Sequence, residues 1–305
     1  MTLPLMSLLT VTLAKINFTM RTIFLLFTSL ISFSVLAYDE IPPTVAEWQR
    51  AAQNPLSPNF SLPLEYKFHG GATAGDVHVG SFAPIMPIKF DGWNIINQLT
   101  LNFMGTPGDV TGIRGLPQPY TDEGSEGNAA GLADTFFTSY ISPAINDEIS
   151  LGLGATFVFP TDEPSRELGS GKFSMGPAVM FVYQTPESWT LSLQAQQIWS
   201  VVGSDGRDDV SQMIVNPTIN YNLPDGWYLL SDMEVIANWE LPSNQRWTVP
   251  IGAGIGKVFA LGKNAIDTRI EGYYNVVTPD YNSSNGFSGP SWSIGASFSF
   301  IFGEL

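Results

Sequence analysis

Residues 291–302 read SWSIGASFSFIF, and the alternation in this stretch decides the fold. Successive side chains of an extended strand point to opposite faces. Large apolar residues from Trp292 to Phe302 therefore share one face, and serines and a glycine share the other. Strands in soluble proteins are usually five or six residues long, and this one is about twice that length. A long strand with one apolar face is typical of a wall that crosses a lipid bilayer.

The composition also favours a membrane protein. Charged residues make up 13% of the 305-residue chain, against about 25% in typical soluble domains. The formal net charge of −15 argues against a nucleic-acid partner, which needs basic stripes to neutralise phosphates. The chain has no cysteine, so we predict neither a disulfide framework nor a thiolate metal site. We expect no cofactor.

The N-terminus predicts export. An apolar run, TIFLLFTSLISFSVLA, follows Arg21 and ends with small residues before Tyr38, as in a cleaved signal peptide. We expect a signal peptide at residues 1–37, with Met20 as an alternative start. A membrane-anchoring helix is the competing interpretation, but this apolar run is short. Beyond residue 37, no run of about 18 apolar residues could form a spanning helix.

A short helix is predicted between the signal peptide and the first strand. In PPTVAEWQRAAQNP (42–55), Thr44 and Glu47 have the spacing of a capping box, and the pattern stops before Pro55. We assign residues 38–57 to this helical segment and residues 58–305 to the barrel. A helix this short is only marginally stable alone. We therefore expect it to pack against another part of the chain, either inside the barrel mouth or at its periplasmic rim.

The period-two alternation of the chain end recurs along the sequence. It is clear at 59–68, 188–199, 226–239 and 264–276, and weaker near 76–90, 93–104, 131–142, 148–159, 172–183, 209–221 and 246–259. Tight turns alternate with long connections between these strands, as in outer-membrane barrels. We therefore predict an all-β fold, a transmembrane antiparallel β-barrel of about 12 strands with a short N-terminal helix. Six prolines fall inside predicted strands, where we expect bulges: Pro63, Pro84, Pro87, Pro177, Pro217 and Pro250.

The positions of the tryptophans give an independent test of the membrane-spanning interpretation. Seven of the eight lie at predicted strand ends, where amphipathic rings favour the membrane interface: Trp93, Trp189, Trp199, Trp227, Trp239, Trp247 and Trp292. Trp189 and Trp199 lie ten residues apart, which spans roughly 25 Å in a tilted strand, close to the apolar band of such barrels. A soluble β-sandwich does not predict this spacing.

Charged residues alternate with the apolar stripes, so we predict that they face the lumen. They are Glu65, Lys67, Glu148, Lys172, Asp232, Glu234, Asp267, Arg269 and Glu271. Such charges suit a polar channel. They would equally suit a closed interior in which acidic and basic side chains pair and fill the space.

Several stretches resemble one family: LGSGKFSMGP (168–177), residues 198–229, ANWE (237–240), RWTVPIGAGIGKVFALGK (246–263) and YYNVV (273–277). They are similar to the outer-membrane barrels named for the meta-pathway of phenol degradation, over most of the chain from about residue 54. The resemblance implies an outer-membrane transporter of small, often hydrophobic or aromatic compounds. It supplies no ligand and no set of site residues.

The sequence is compatible with three functions. The first is a channel or transporter in the outer membrane, with a small-molecule solute, membrane lipid and lipopolysaccharide, and the outer-membrane insertion machinery as partners. The second is a structural or adhesive barrel with a closed lumen. The third is a lipid hydrolase, which is disfavoured because His78 and the nearby Ser81 fall on opposite faces of a strand. Acidic clusters at 122–126 and 205–209 lack metal-loop spacing, so no metal site is predicted.

Overall fold

The computed structural model describes residues 42–107, 110–116, 128–161, 168–186, 188–280 and 287–303. The predicted signal peptide at 1–37 lies outside these residues. In the described ranges, none of the helices has the length and apolar character needed to span a bilayer.

One antiparallel sheet closes on itself. Within the described residues, one α-helix, α1 (Val45–Ala52), precedes the strands. The strands are β1 (Ser61–Ala72), β2 (Gly75–Phe82), β3 (Ile85–Phe90), β4 (Trp93–Pro107), β5 (Asn128–Leu132), β6 (Thr135–Pro143), β7 (Ile149–Phe159), β8 (Lys172–Gln184), β9 (Trp189–Gly203), β10 (Ser211–Asn222), β11 (Trp227–Asp232), β12 (Val235–Asn238), β13 (Trp247–Leu261), β14 (Asn264–Val277) and β15 (Trp292–Phe302). The pairing of β1 with β15 joins the first strand to the last.

Three spans are broken into two strands each. The breaks fall at residues 83–84 between β2 and β3, at 133–134 between β5 and β6, and at 233–234 between β11 and β12. When each broken pair is taken as one span, the described sheet is a closed barrel of 12 antiparallel spans. The predicted fold is confirmed.

Prolines explain two of these breaks. Pro63 lies opposite residues 83–84, where Ala83 N donates to Pro63 O at 3.0 Å. Pro217 lies opposite residues 233–234, where Met233 N donates to Pro217 O at 3.2 Å. Because proline has no N–H, an unbroken neighbour would be left with an unpaired carbonyl. The break removes this carbonyl of the neighbouring strand from the hydrogen-bond ladder. Pro250 instead sits at a register shift in β13.

The barrel has two different ends. The tight connections at 91–92, 144–148, 185–188, 223–226 and 262–263 lie at one end, together with the start of β1 and the end of β15. We call this the short-turn end. The strand ends that flank the connections from β4 to β5, β7 to β8, β9 to β10, β12 to β13 and β14 to β15 lie at the other end, together with the tight turn at 73–74. We call this the long-loop end.

The outer face of the wall is apolar, whereas the inner face carries polar and charged side chains together with apolar clusters. In β14, Ile270 and Tyr274 are well exposed on the outer face, whereas Asp267 and Glu271 are buried on the inner face. This arrangement reverses that of a soluble protein and matches a wall surrounded by lipid.

Tryptophans lie near both ends of the spans. Trp93, Trp189 and Trp227 begin β4, β9 and β11 at the short-turn end. Trp199, Trp239, Trp247 and Trp292 lie toward the long-loop end. The rings rest on neighbours on the wall, as where Phe90 stacks on Trp93 with centroids 4.2 Å apart. Their role at the membrane interface stays a prediction.

Candidate permeation lumen

Glycines on the inner face of β13 make room in the lumen. Gly252, Gly254 and Gly256 alternate with outward residues such as Ile251 and Ile255. A Cβ added at Gly256 would collide with the ring of Tyr228, and one at Gly254 with Glu271. The glycines thus form a trough along β13, across which side chains of the flanking strands β11 and β14 meet.

Two tyrosines cross this trough. The hydroxyl of Tyr228 donates to Asp267 Oδ1 at 2.8 Å. The hydroxyl of Tyr273 donates to Glu271 Oε2 at 3.2 Å and accepts from the backbone N–H of Asp232 at 2.7 Å. Acidic groups of β14 are therefore held in place by neutral donors as well as by cations.

Charged side chains gather at the centre of the lumen. Lys67 Nζ lies 3.1 Å from Glu65 and 3.5 Å from Glu271. Arg269 lies 3.2 Å from Asp232, and Arg114 forms an ion pair with Glu234. We call the following residues the central charge cluster: Glu65, Lys67, Arg114, Asp232, Glu234, Asp267, Arg269 and Glu271.

Seven of the nine charged residues predicted to face the lumen belong to this cluster, and two lie elsewhere. Glu148 is exposed in the turn before β7, outside any strand, so the placement of its side chain by alternation was wrong. Lys172 begins β8 near the long-loop end, with Nζ 3.5 Å from Asp209. A role in lining a pore remains a prediction for the other seven.

Arg114 is the member of the cluster that sequence reasoning missed. It belongs to residues 110–116 of the connection between β4 and β5, which fold into the barrel. Val110, Ile113 and Leu116 are buried against inward side chains of β2 and β4, including Val77 and Met104. We call residues 110–116 the inward loop. A long connection without periodicity gave no signal for this placement.

Helix α1 occupies the short-turn end. Trp48 is buried against inner-face side chains, among them Tyr228 and Ile301. Polar side chains of the helix bind the turns around it: Arg50 donates to Thr185 O and Asp147 O at 2.7 Å each. Of the two locations considered for the helix, the structure shows the barrel mouth.

The start of α1 has the expected capping box. Glu47 N donates to Thr44 Oγ1 at 3.3 Å, and Thr44 N donates to the Glu47 carboxylate at 2.6 Å. These donors, the Thr44 backbone first and its hydroxyl second, hold the pKa of Glu47 below its ordinary value.

Two cavities remain between the helix and the inward loop. One has a volume of about 270 Å³ and is lined by polar groups that include Asn102, Ser297 and Ser299. The other has about 240 Å³ and is lined by groups that include Gln194 and Asn220. The central charge cluster stands between them, because the two cavities share six of its members: Glu65, Lys67, Arg114, Glu234, Asp267 and Arg269.

The two histidines of the chain, His69 and His78, lie on opposite faces of the barrel wall. His69 lines the larger cavity, and His78 is exposed on the outer face with Nδ1 2.6 Å from the Tyr66 hydroxyl. Ser81 points inward and donates to Asn102 at 2.8 Å. Among the residues placed by the structure, no group of three acidic or histidine side chains is arranged to hold a metal. The acidic cluster at 122–126 lies outside the described residues.

The comparisons with known proteins agree with this architecture. The sequence profile of the family described as "Putative MetA-pathway of phenol degradation" matches residues 67–289. An outer membrane channel from Pseudomonas putida F1 aligns over 88% of this chain and 100% of its own, with a TM-score of 0.58 and 13% identity. That likeness shows a shared fold.

Two further solved structures align less closely. The NanC porin has a TM-score of 0.44 and 10% identity over 81% of this chain and 100% of its own. The CymD monoaromatic hydrocarbon channel has a TM-score of 0.42 and 9% identity over 84% of this chain and 92% of its own. No curated protein matches the sequence.

Proposed function

We propose that this chain, which belongs to the family of the MetA-pathway of phenol degradation, is a channel that carries small organic molecules through its lumen. The chain is an outer-membrane β-barrel. The lumen cavities carry the proposal. Protein interiors are packed so closely that voids larger than a water molecule are few, so two cavities of about 270 and 240 Å³ indicate space kept for a solute and its water.

The cavity sizes fit compounds with one ring. An apolar cavity of about 150 Å³ is enough to hold benzene, and each lumen cavity is larger. The hydroxyl, amide and charged groups on the walls favour a solute that replaces the hydrogen bonds of lumen water. Hydroxylated aromatic compounds, of the kind that phenol degradation handles, meet both conditions.

Passage requires movement at both ends. Helix α1 covers the short-turn end, and the inward loop covers the long-loop end. We propose that solute passes when these segments shift within a barrel wall that keeps its pairing. We also propose that the outer-membrane insertion machinery assembles the barrel and that lipopolysaccharide surrounds its outer leaflet.

A structural barrel with a closed lumen is the second candidate. The same two closures favour it, since ion pairs and the helix together leave no wide passage. The two functions differ in what happens when a closure is removed: a channel then conducts more, whereas a lumen filled by its own side chains stays closed.

Planar-bilayer recording of the purified barrel tests the proposal. We expect discrete conductance steps for the mature protein and larger steps for a variant that lacks residues 38–57. Proteoliposome uptake of hydroxylated single-ring compounds, corrected for leak through protein-free vesicles, gives the second readout. An assembled barrel that conducts in neither form would support the closed structural function instead.

A further inference from the structure

We propose that the lumen selects for cations, so that single-ring solutes with a positive charge pass more readily than equivalent anions. The inference deepens the proposed function and rests on it. It follows from the way charge is distributed over the walls of the two cavities.

The central charge cluster holds more carboxyl groups than cations. Its cations are Lys67, Arg114 and Arg269, and its carboxyl groups are those of Glu65, Asp232, Glu234, Asp267 and Glu271. Each cation already has a carboxylate partner, so none of the three presents an uncompensated positive charge to an anion in the lumen.

The surplus negative charge has a definite location. Lys67 is shared by Glu65 and Glu271, so one cation serves two carboxylates. Asp267 receives its hydrogen bond from the neutral hydroxyl of Tyr228 at 2.8 Å, and no ion pair within 4.0 Å is found for it among the described residues. Rings of acidic side chains in a channel favour cations, whereas rings of basic side chains favour anions.

A solute in either cavity meets carboxyl groups that carry the surplus negative charge. Glu65 and Asp267 line both cavities, so the same carboxyl groups face the solute on either side of the cluster. The low-dielectric barrel wall strengthens their effect relative to charges at an open surface.

The long-loop end adds to the effect. Five exposed acidic residues lie on the described parts of its connections: Asp205, Asp208, Asp209, Glu240 and Asp280; Asp209 is paired with Lys172. Like charges at a channel mouth raise the local concentration of counter-ions. Cations are therefore enriched before they reach the cluster.

Reversal potentials in a KCl gradient test the inference. We expect the intact protein to favour potassium over chloride. We expect Asp267→Asn to lower the permeability ratio by about fivefold, because the Coulomb effect of one charge roughly 8 Å away in water is about twofold for each ion and acts in opposite directions on potassium and chloride. Glu65→Gln removes a second lumen charge and should act in the same direction if Asp267→Asn fails to assemble. Asp91→Asn is the matched control, because Asp91 is exposed in the turn between β3 and β4 and outside the lumen cavities, and it should change the ratio far less than Asp267→Asn.

Two permanently charged single-ring compounds extend the test to organic solutes. We expect proteoliposomes to take up benzyltrimethylammonium faster than benzenesulfonate, and Asp267→Asn to narrow the difference. If the barrel conducts but favours chloride, the inference is overturned and the proposed function is not. The same holds if Asp267→Asn and Glu65→Gln both leave the potassium-to-chloride permeability ratio unchanged. An assembled barrel without conductance, with or without residues 38–57, contradicts the proposed function and the inference with it.

Discussion

Gly256 sets the position of Tyr228 and, through it, of Asp267. We predict that Gly256→Ala lowers the free energy of unfolding by about 1–3 kcal/mol, the usual cost of overpacking. The added Cβ would displace Tyr228 and remove the donor of Asp267. Urea unfolding in lipid vesicles measures the change. Gly272→Ala is the control, because its added Cβ would meet nothing closer than Ser293 O at 3.8 Å. Equal losses in the two variants would count against this role of Gly256.

Phe298 tests the lipid face at the level of one side chain. It is 41% exposed on the outer face of β15. We predict that Phe298→Arg destabilises the barrel by about 2–4 kcal/mol, because a cation near the bilayer midplane is poorly solvated. The same unfolding assay applies. Phe298→Leu, which keeps the face apolar, should cost far less, and an arginine variant of unchanged stability would contradict the assignment of this face to lipid.

Single side chains were predictable wherever the strand period was unbroken. Alternation placed Asp267, Arg269 and Glu271 on the inner face because β14 runs without interruption. It misplaced Glu148 because the turn runs one residue further than expected. Asn146 Oδ1 accepts the backbone N–H of Glu148 at 2.9 Å and holds that residue in the turn.

At the scale of one element, the capping box of α1 predicts a response to pH. The pKa of Glu47 is lowered from 4.5, so its contribution to the helix is present above that pH and is lost as pH falls through the lower folded value. We expect hydrogen exchange of residues 45–52, corrected for intrinsic rates, to speed up on acidification below pH 4.5. Glu47→Gln should remove this pH dependence, and Thr44→Ala should speed exchange at neutral pH. Unchanged exchange in Thr44→Ala would show that docking alone holds the helix.

The number and direction of strands were readable from the sequence, but most of their interruptions were not. Pro84 lies inside the break at 83–84, whereas Pro217 acts on the neighbouring strand. Finding the break at 233–234 therefore requires the register, which a single strand does not contain. The third break, at residues 133–134, has no proline opposite it on β4, but the register of β6 with β7 puts Pro160, just beyond the end of β7, opposite Asp134. Asp134 there accepts from the backbone N–H and the hydroxyl of Ser170, a contact that joins distant parts of the chain.

For the whole molecule, the closure at the long-loop end depends on contacts between residues far apart in sequence. Arg114 binds Glu234 and donates to Asn216 at 3.1 Å. Local periodicity carries no information on such pairs. The sequence accordingly predicted a barrel with a polar interior but did not predict that the inward loop crosses that interior.

The two closures lie in series along the lumen, which leads to a prediction for their combined removal. Resistances in series add, so opening one end leaves the other in control of the current. We expect deletion of residues 38–57 and Arg114→Gln each to raise single-channel conductance modestly, and the double variant to raise it by more than the two increments together. The measurement is planar-bilayer recording of the four proteins at one salt concentration. Arg246→Gln, the same substitution in the connection between β12 and β13, controls for loss of a cation near the long-loop end. Simple additivity would mean that the helix and the inward loop obstruct separate paths.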